Sequence, residues 1–278
     1  MLRPLLAGIR LVRVGVHLVY GWCLVSALYP LIHRQGKLKL QQAWSISLLD
    51  ILGLRLAVSA STALGREDRI SGLVVANHVS WLDVFVISAL RPVTFVCKRE
   101  VRHWPLIGTL CEGAGTVFLE RGNKAAAMRT VQVLATKLIQ GDGVAVFPEG
   151  TTGEGATLLP FRTALLQAAV DTGVSVQPLA IRYLDANGNH ALAANYCGDI
   201  SFWQSLSSIA SRPDITASVS ILEQVPAASR CRKELTEMSH ALIRRSLAQV
   251  VPRSGTVDRD ETHLRDADIR FAGDLRGS

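Results

Sequence analysis

Short apolar runs rich in β-branched residues alternate with helical patterns between residues 70 and 185, and this alternation constrains the fold more than any other feature. Apolar residues that recur every three or four positions predict helices at 81–90, 162–171 and 229–249, and one that Asn123 caps and Gly141 ends. The apolar runs predict strands at 73–76, 93–97, 116–119, 144–147, 174–181 and 214–223. Because strands that alternate with helices form βαβ crossovers, we expect an α/β fold: a largely parallel mixed sheet flanked by helices.

The first 60 residues form a separate apolar segment. Residues 14–32 contain one ionisable side chain, His17, and as a helix they would be about 29 Å long, close to the hydrocarbon thickness of a bilayer. A second apolar stretch, 43–60, is interrupted by Asp50 and Arg55 and is expected to be a helix in the membrane interface. We therefore predict an N-terminal membrane-anchoring helical segment over residues 1–60.

The way in which this segment meets a membrane stays open. Basic residues flank the stretch 14–32 on both sides and give no orientation. One true span and a monotopic hairpin are both compatible with the pattern. A signal peptide cleaved near residues 25–27 is disfavoured, because the apolar run continues to Ile32.

The formal net charge of +7 is concentrated in the same segment. Residues 1–60 carry seven basic and one acidic side chains, whereas 61–251 carry 18 and 16, and 252–278 carry five and six. A nucleic-acid-binding protein is expected to carry its basic surface on the folded domain, so we predict an anionic membrane surface as partner and no nucleic acid. The remainder is predicted to be one globular domain over 61–251 and a flexible charged tail over 252–278.

The five cysteines are scattered and never spaced as C-x-x-C. Neither a disulfide framework nor a zinc site is indicated, and we predict no metal. A body that faces a reducing, cytosolic compartment fits this pattern.

The first motif, Ala-Asn-His-Val-Ser-Trp-Leu-Asp, follows the first strand of this domain at residues 76–83. His78 can accept a proton near neutral pH when a carboxylate fixes its tautomer, and Asp83 is five residues further on. Residues five apart in one helix point about 140° apart, so the pair meets only if His78 lies in a turn and Asp83 begins the helix. Ser80 is expected to cap that helix in a capping box with Asp83. An ordinary loop histidine beside a helix-start carboxylate is the structural alternative.

Two further motifs follow later strands. Residues 115–122 form a strand that ends near Arg121, and an arginine there can bind a phosphate through two N–H groups. Residues 146–153 run from an apolar strand into a Pro/Gly turn, whose amides and threonine hydroxyls can form an anion-binding concavity. The alternatives are a surface ion pair and a plain glycine loop. Neither a P-loop nor a G-x-G-x-x-G sequence is present.

In this order and spacing the motifs resemble those of the glycerolipid acyltransferase family, which makes phosphatidic acid from lysophosphatidic acid. The resemblance covers residues 70–185, and four blocks in register are more specific than any one of them. The matching positions are Asn77, His78 and Asp83 in the first block, Gly115, Phe118 and Arg121 in the second, residues 147–151 in the third, and the strand around Pro178 in the fourth.

The resemblance implies transfer of a fatty acyl group from acyl-CoA or acyl carrier protein to the free hydroxyl of 1-acyl-sn-glycerol 3-phosphate. His78, oriented by Asp83, would be the general base, and no acyl-enzyme would form. The acyl donor would be a co-substrate, with no other cofactor. The implied partners are the lysophospholipid acceptor and a membrane surface, at the cytoplasmic face of the inner or plasma membrane.

The same resemblance assigns substrate-binding roles. Arg121 and Lys98 would bind the phosphate of the acceptor. Glu149 would orient Arg121 or the glycerol, because a carboxylate would repel phosphate, and Gly150 and Thr151 of the turn would assist. Pro178 would shape the strand beside the acyl chain.

The acceptor head group stays open, because Thr152 follows the third block where the family frequently has serine. Lyso-ornithine lipid acyltransferases share the same blocks and act on an acceptor without phosphate. Whether Lys98 and Arg121 bind a phosphate therefore distinguishes the two functions. An inert lipid-binding protein on the same fold is an alternative of another class, against which the intact His78 and Asp83 pair argues. A hydrolase is disfavoured, because no G-x-S-x-G sequence is present.

Overall fold

The computed structural model describes residues 2–60, 70, 72–120, 124–212 and 214–249. Within them lie the strands β1 (Arg55–Ala60), β2 (Leu73–Ala76), β3 (Thr94–Lys98), β4 (Val117–Leu119), β5 (Val144–Val146), β6 (Val176–Leu184) and β7 (Thr216–Ile221). These strands form one sheet in the order β1-β7-β6-β2-β5-β3-β4. Each neighbouring pair is parallel except β6 and β7, so the predicted α/β fold with a largely parallel mixed sheet is confirmed.

Helices precede the sheet and connect its strands. The described helices are α1 (Leu2–Cys23), α2 (Arg34–Leu52), α3 (Leu82–Leu90), α4 (Ile107–Gly113), α5 (Lys124–Ile139), α6 (Gln167–Thr172), α7 (Phe202–Ala210) and α8 (Arg232–Ala248). A π-helical turn (Leu24–Leu28) and a 3-10 turn (Tyr29–Leu31) extend α1 towards α2.

The sheet is covered on both faces, and successive residues of β2 show the two layers. Val74 and Ala76 face a core shared with α2, α3 and α7, whereas Leu73 and Val75 face a core shared with α5, α6 and α8. Side chains along a strand alternate between its faces, and a central parallel strand buried on both sides therefore needs apolar residues at every position. The continuous apolar run at 73–76 meets this requirement.

The sequence places most strands within a few residues of their observed bounds. β2 agrees at both ends, whereas β6 extends three residues beyond its predicted end. The helix predicted at 162–171 begins later, at Gln167, and Gly173 ends it in a left-handed conformation with φ 69°. The Asn123 cap and the tail 252–278 lie outside the described residues. The division of the chain at residues 60 and 251 stays a prediction.

The helix predicted over 43–60 is present only as far as Leu52, and the prediction that it lies in a membrane interface was wrong. α2 ends at Leu52, where Gly53 adopts a left-handed conformation (φ 76°) and its N–H donates to Asp50 O at 3.0 Å. The chain then forms β1, which pairs in parallel with β7 along its whole length. Leu48 and Leu52 are buried in the core of the sheet, which is where the apolar residues of this stretch find their partners.

The first helix is attached to the body and is also exposed. Arg10 Nη1 donates to Ala210 O at 3.1 Å, at the end of α7, and the His17 ring stacks on Trp44 of α2 with centroids 4.5 Å apart. The helical stretch Pro4–Leu31 is long and apolar enough to cross a membrane by length and composition, and only 17% of its most apolar window is buried in the protein. Large apolar side chains such as Val12 and Val16 are about two-thirds exposed.

Candidate active site

The sheet brings the predicted site residues to one edge. β2, β5, β3 and β4 are consecutive parallel neighbours, so their carboxyl ends meet at the same edge of the sheet. His78 follows β2 by two residues, Glu149 follows β5 by three, and Lys98 is the last residue of β3. Arg121, which follows β4 by two residues, lies outside the described residues.

His78 and Asp83 are in contact at this edge. His78 Nδ1 lies 2.8 Å from Asp83 Oδ2, which also accepts the backbone N–H groups of Val79 at 2.8 Å and Ser80 at 3.0 Å. His78 lies in the turn after β2 and Asp83 in the first turn of α3, which is the arrangement that the five-residue spacing required. Asp83 is fully buried, whereas one fifth of the His78 side chain is exposed.

The capping box predicted for Ser80 is only half formed. The Asp83 side chain accepts the Ser80 N–H, but the Ser80 hydroxyl is buried without a hydrogen-bond partner among the described residues. The helix begins at Leu82, one residue after its predicted start. The hydrogen bonds that the Asp83 carboxylate accepts from Val79 and Ser80 fix the turn that carries His78.

A tyrosine that the sequence motifs do not include contacts the same carboxylate. Tyr183, on β6, donates its hydroxyl to Asp83 Oδ1 at 2.6 Å and is fully buried. Burial raises the pKa of Tyr183 well above its usual value, and the nearby Asp83 charge adds to this, so the phenol remains a donor. The predicted strand ended at residue 181, so Tyr183 lay outside it, and the sequence carried only the general signal that a tyrosine, once buried, needs a partner for its O–H. The sequence could not identify that partner.

These contacts determine which nitrogen of His78 can act as a base. Asp83 accepts hydrogen bonds from two backbone N–H groups and from the Tyr183 hydroxyl, so its carboxylate acts as an acceptor. In the bond between Asp83 and His78, the hydrogen is therefore on Nδ1 of His78. Nε2 is left with the lone pair. The ring stacks on Phe147 with centroids 4.0 Å apart and planes 12° apart, and Phe147 stacks on Phe95. The imidazole is thus fixed in both tautomer and orientation.

Glu149 binds backbone amides with both carboxylate oxygens. Oε1 accepts the His78 N–H at 2.7 Å and Oε2 accepts the Leu159 N–H at 2.9 Å. The residue is 5% exposed. Burial raises the pKa of the Glu149 carboxyl, while the hydrogen bonds from His78 and Leu159 act in the opposite direction. Glu149 therefore ties the histidine turn to the chain that follows β5.

The turn after β5 uses its amides internally. Gly150 has a φ of 72°, and its N–H donates to Phe147 O at 3.0 Å, while the Gly153 N–H donates to His78 O at 2.8 Å. The Thr152 hydroxyl donates to Tyr196 O, whereas Thr151 is exposed. The predicted anion-binding concavity therefore does not include the Gly150 and Gly153 amides, because the fold of the turn already engages them.

Lys98 is exposed and lies two strands away from His78. Neighbouring strands are about 4.8 Å apart, so the end of β3 is about 10 Å from the end of β2. The long, flexible side chain of a lysine can cover much of that distance. Pro178 is buried on β6, opposite Val75 of β2.

Asn77 links the end of β2 to β6, the strand that contains Tyr183. Its Nδ2 donates to Ile181 O at 2.9 Å, and its Oδ1 accepts the Ile181 N–H at 2.8 Å. Asn77 is 2% exposed. The motif supplied this residue, but its role as a link between β2 and β6 is seen only in the structure.

No cluster of three or more His, Cys, Asp or Glu side chains that could hold a metal ion occurs in the part of the chain that the structure describes. His78, Asp83 and their neighbours are linked by hydrogen bonds and ring stacking.

Comparisons with known proteins show which sequences and which fold this chain resembles. Residues 57–182 match the Acyltransferase family. A lyso-ornithine lipid O-acyltransferase from Pseudomonas aeruginosa is 38% identical over 192 residues, which cover 66% of this chain and 74% of that protein. A 1-acyl-sn-glycerol-3-phosphate acyltransferase from Neisseria gonorrhoeae is 41% identical over 124 residues, and the match spans about half of its length, 49%, and 45% of this chain.

A solved structure shares the fold. The crystal structure of the 1-acyl-sn-glycerophosphate acyltransferase PlsC from Thermotoga maritima superposes with a TM-score of 0.67 at 22% identity, over 91% of this chain and 98% of that one. The similarity therefore includes more of the chain than the motif-bearing region.

Proposed function

This chain belongs to the Acyltransferase family and is an acyltransferase, and we propose that it transfers a fatty acyl group to the free hydroxyl of 1-acyl-sn-glycerol 3-phosphate, forming phosphatidic acid. The observation that carries this proposal is the contact between His78 and Asp83, which leaves Nε2 of an oriented, partly exposed imidazole as the base. The rest of the site supports this pair.

The reaction begins with proton removal. His78 Nε2 takes the proton of the acceptor hydroxyl while its oxygen attacks the carbonyl carbon of the acyl thioester. Asp83 stabilises the imidazolium that forms, because its carboxylate lies 2.8 Å from Nδ1. A tetrahedral intermediate results, and its oxyanion holds the negative charge.

The reaction ends with loss of the thiol. The carbon–sulfur bond breaks as the carbonyl re-forms, and the thiolate receives the proton from His78 Nε2. The new ester and a free thiol leave, and the imidazole is again neutral. Transfer is direct, so no acyl-enzyme forms.

The acceptor is proposed to be held by its phosphate. Lys98 is the last residue of β3, two strands from the base, and Arg121 follows β4 by two residues along the chain. The family motif assigns Glu149, Gly150 and Thr151 to the acceptor as well. The hydrogen bonds of Glu149 favour an indirect role, in which it fixes the turn that carries His78.

A lyso-ornithine lipid is the second candidate acceptor. The relative from Pseudomonas aeruginosa carries that name, and the match covers 74% of its length. Only 1-acyl-sn-glycerol 3-phosphate carries a phosphate, so a side chain that binds this phosphate distinguishes the two acceptors. Substituting Lys98 by alanine should raise the KM for a phosphate-bearing acceptor more than the KM for the acyl donor, whereas equal effects would contradict the phosphate role.

The enzyme is proposed to act at the cytoplasmic face of a membrane, on a donor that is acyl-CoA or acyl carrier protein. Its N-terminal helix exposes apolar side chains and is fixed to the body. Trp104 and Trp203, which are 43% and 70% exposed, both contact the ring of Phe202 and extend the apolar surface onto the body. Exposed tryptophan is typical of membrane interfaces.

A panel of acceptors tests the proposal. Purified protein is given a radiolabelled acyl-CoA or acyl carrier protein with 1-acyl-sn-glycerol 3-phosphate, lyso-ornithine lipid or no acceptor. Phosphatidic acid should accumulate with the first acceptor. Ester formation only with lyso-ornithine lipid would replace the proposed acceptor, free fatty acid without acceptor would indicate a hydrolase, and lipid binding without thiol release would indicate an inert protein.

A further inference from the structure

Four hydrogen bonds hold the Asp83 carboxylate, and one of them comes from a distant part of the chain. His78, Val79 and Ser80 are all within five residues of Asp83 and bind Oδ2. Tyr183 is 100 residues away along the chain, comes from β6, and binds Oδ1. The tyrosine therefore connects the proposed catalytic turn, residues 77–83, to β6.

We propose that Tyr183 is a positioning residue for acyl transfer: its hydroxyl holds Oδ1 of Asp83 so that Oδ2 stays directed at Nδ1 of His78. The proposal rests on the proposed general-base function of His78. Tyr183 itself contacts Asp83 and is fully buried, so it acts through the carboxylate and not on the substrate.

The argument follows from the symmetry of a carboxylate. Its two oxygens are chemically equivalent, and only their surroundings decide which one faces the imidazole. Without the phenol, Oδ1 would be a buried acceptor with no described partner, and leaving such a group unpaired is unfavourable. Rotation of the carboxylate or protonation of Asp83 would relieve this cost, and either would weaken the bond to His78.

The local charges determine how the pH profile responds. The titratable groups that interact with Asp83 are His78 on the preceding turn, Tyr183 on β6 and Glu149 after β5. Tyr183 holds Oδ1, and Oδ2 then stays 2.8 Å from Nδ1 and stabilises the imidazolium of His78. When the hydroxyl is removed and the carboxylate turns away, the imidazolium is less stabilised. The imidazole then loses its proton, and the base becomes active, at a lower pH.

The substitution Tyr183→Phe tests the proposal, because it removes the hydroxyl and retains the ring that fills the core. We expect kcat to fall about tenfold, with the KM values for donor and acceptor changed less than twofold, since the base and not substrate binding is affected. The acidic limb of the kcat/KM profile should move down by about half a pH unit, because the imidazolium is less stabilised.

Thr236→Val is the matched control. The Thr236 hydroxyl also donates one hydrogen bond in a buried position, to Arg232 O at 2.7 Å, but it lies on α8 and outside the site. Its loss should leave kcat and the pH profile unchanged. An unaltered kcat and profile in Tyr183→Phe would overturn the proposal. So would a fall in kcat that matches a fall in Tm without any change in the profile, because a purely structural role produces that result.

A second measurement separates this proposal from the choice of acceptor. Titration of the His78 ring by NMR, with its signal assigned by comparison with His78→Ala, reports the contact without any substrate. In Tyr183→Phe the midpoint of the His78 titration should lie at a lower pH than in the wild type. If wild-type protein transferred no acyl group to any acceptor while this change was present, the proposed function would fail and the Tyr183 contact would stand. An unchanged titration would overturn the Tyr183 proposal alone.

Discussion

The catalytic turn buries charged side chains, whereas the first helix exposes apolar ones. In and beside the turn, Asp83 and Glu149 are buried, and each carboxylate oxygen accepts at least one hydrogen bond. On α1, Val12 and Val16 are exposed, although apolar side chains are normally buried. Buried polar groups are acceptable only when they are hydrogen-bonded, and a large exposed apolar surface indicates a partner.

This difference shows that the catalytic turn and the first helix depend on different partners. The catalytic turn needs fixed geometry, which comes from bonds within the protein. The first helix needs surroundings that the protein does not supply, and a bilayer meets that need. The following substitutions test whether chemistry and membrane contact are separate properties of these two regions.

The largest effect is expected from His78→Ala. Loss of a general base lowers kcat by about 100- to 10,000-fold, while association with lipid vesicles should be unchanged. Acyl transfer is measured with purified protein, and vesicle association by sedimentation. His240→Ala is the control, because this ring also packs on an aromatic side chain, Phe161, away from the catalytic turn. Wild-type turnover in His78→Ala would contradict the general-base role.

The complementary test is the pair Val12→Asp and Val16→Asp on α1. Two charges on the exposed face should weaken association with anionic vesicles by about 100-fold, because a charged side chain is unfavourable in hydrocarbon. Turnover of an acceptor dispersed in detergent should remain close to that of the wild type. The control pair is Met128→Asp and Ile139→Asp on α5, which are also exposed but face away from α1 in the other layer. Equal losses in both pairs would contradict a membrane role specific to α1.

A smaller effect is expected on stability at the catalytic turn. Asn77→Ala leaves the N–H and C=O of Ile181 without their side-chain partner in a buried position. The free energy of unfolding should fall by about 1–3 kcal/mol, measured by denaturant titration. Asn187→Ala, at an exposed turn, should change it by less than about 0.5 kcal/mol. Equal stability of the two variants would show that the link between β2 and β6 is not needed.

The smallest effect concerns the pH dependence of stability. Because burial raises the pKa of Glu149, the folded state favours its protonated form. The resulting stabilisation is fully present below the ordinary pKa of about 4.5 and is lost as the pH rises through the higher pKa of the folded protein. Glutamine does not titrate, so wild-type protein should gain Tm relative to Glu149→Gln as the pH falls from 7 to 4.

The exposed Glu237 gives the reference for that measurement. The difference between wild type and Glu149→Gln is compared, at each pH, with the difference between wild type and Glu237→Gln. A wild-type advantage that decreases on acidification would mean that the hydrogen bonds from His78 and Leu159 outweigh the effect of burial.

Local sequence patterns predicted the parts of the structure that local interactions determine. The apolar run at 73–76 gave β2 with its observed bounds, and the spacing of His78 and Asp83 required the turn and helix start that the structure has. The partners of Asp83 Oδ1 and of Glu149 depend on strands that meet only in the folded sheet, so the sequence could not reveal them. β1 was missed for the same reason, because its partner strand is β7.

The pairing of β1 with β7 also bears on how the chain folds. The two strands are 161 residues apart where Ser59 Oγ donates to Ser220 Oγ, so this edge of the sheet can close only after nearly the whole body has been synthesised. Contacts between distant residues form slowly, because a long loop must close first. The apolar first helix leaves the ribosome long before β1 finds its neighbour. Early capture of that helix by a bilayer would protect it from aggregation while the sheet is still incomplete.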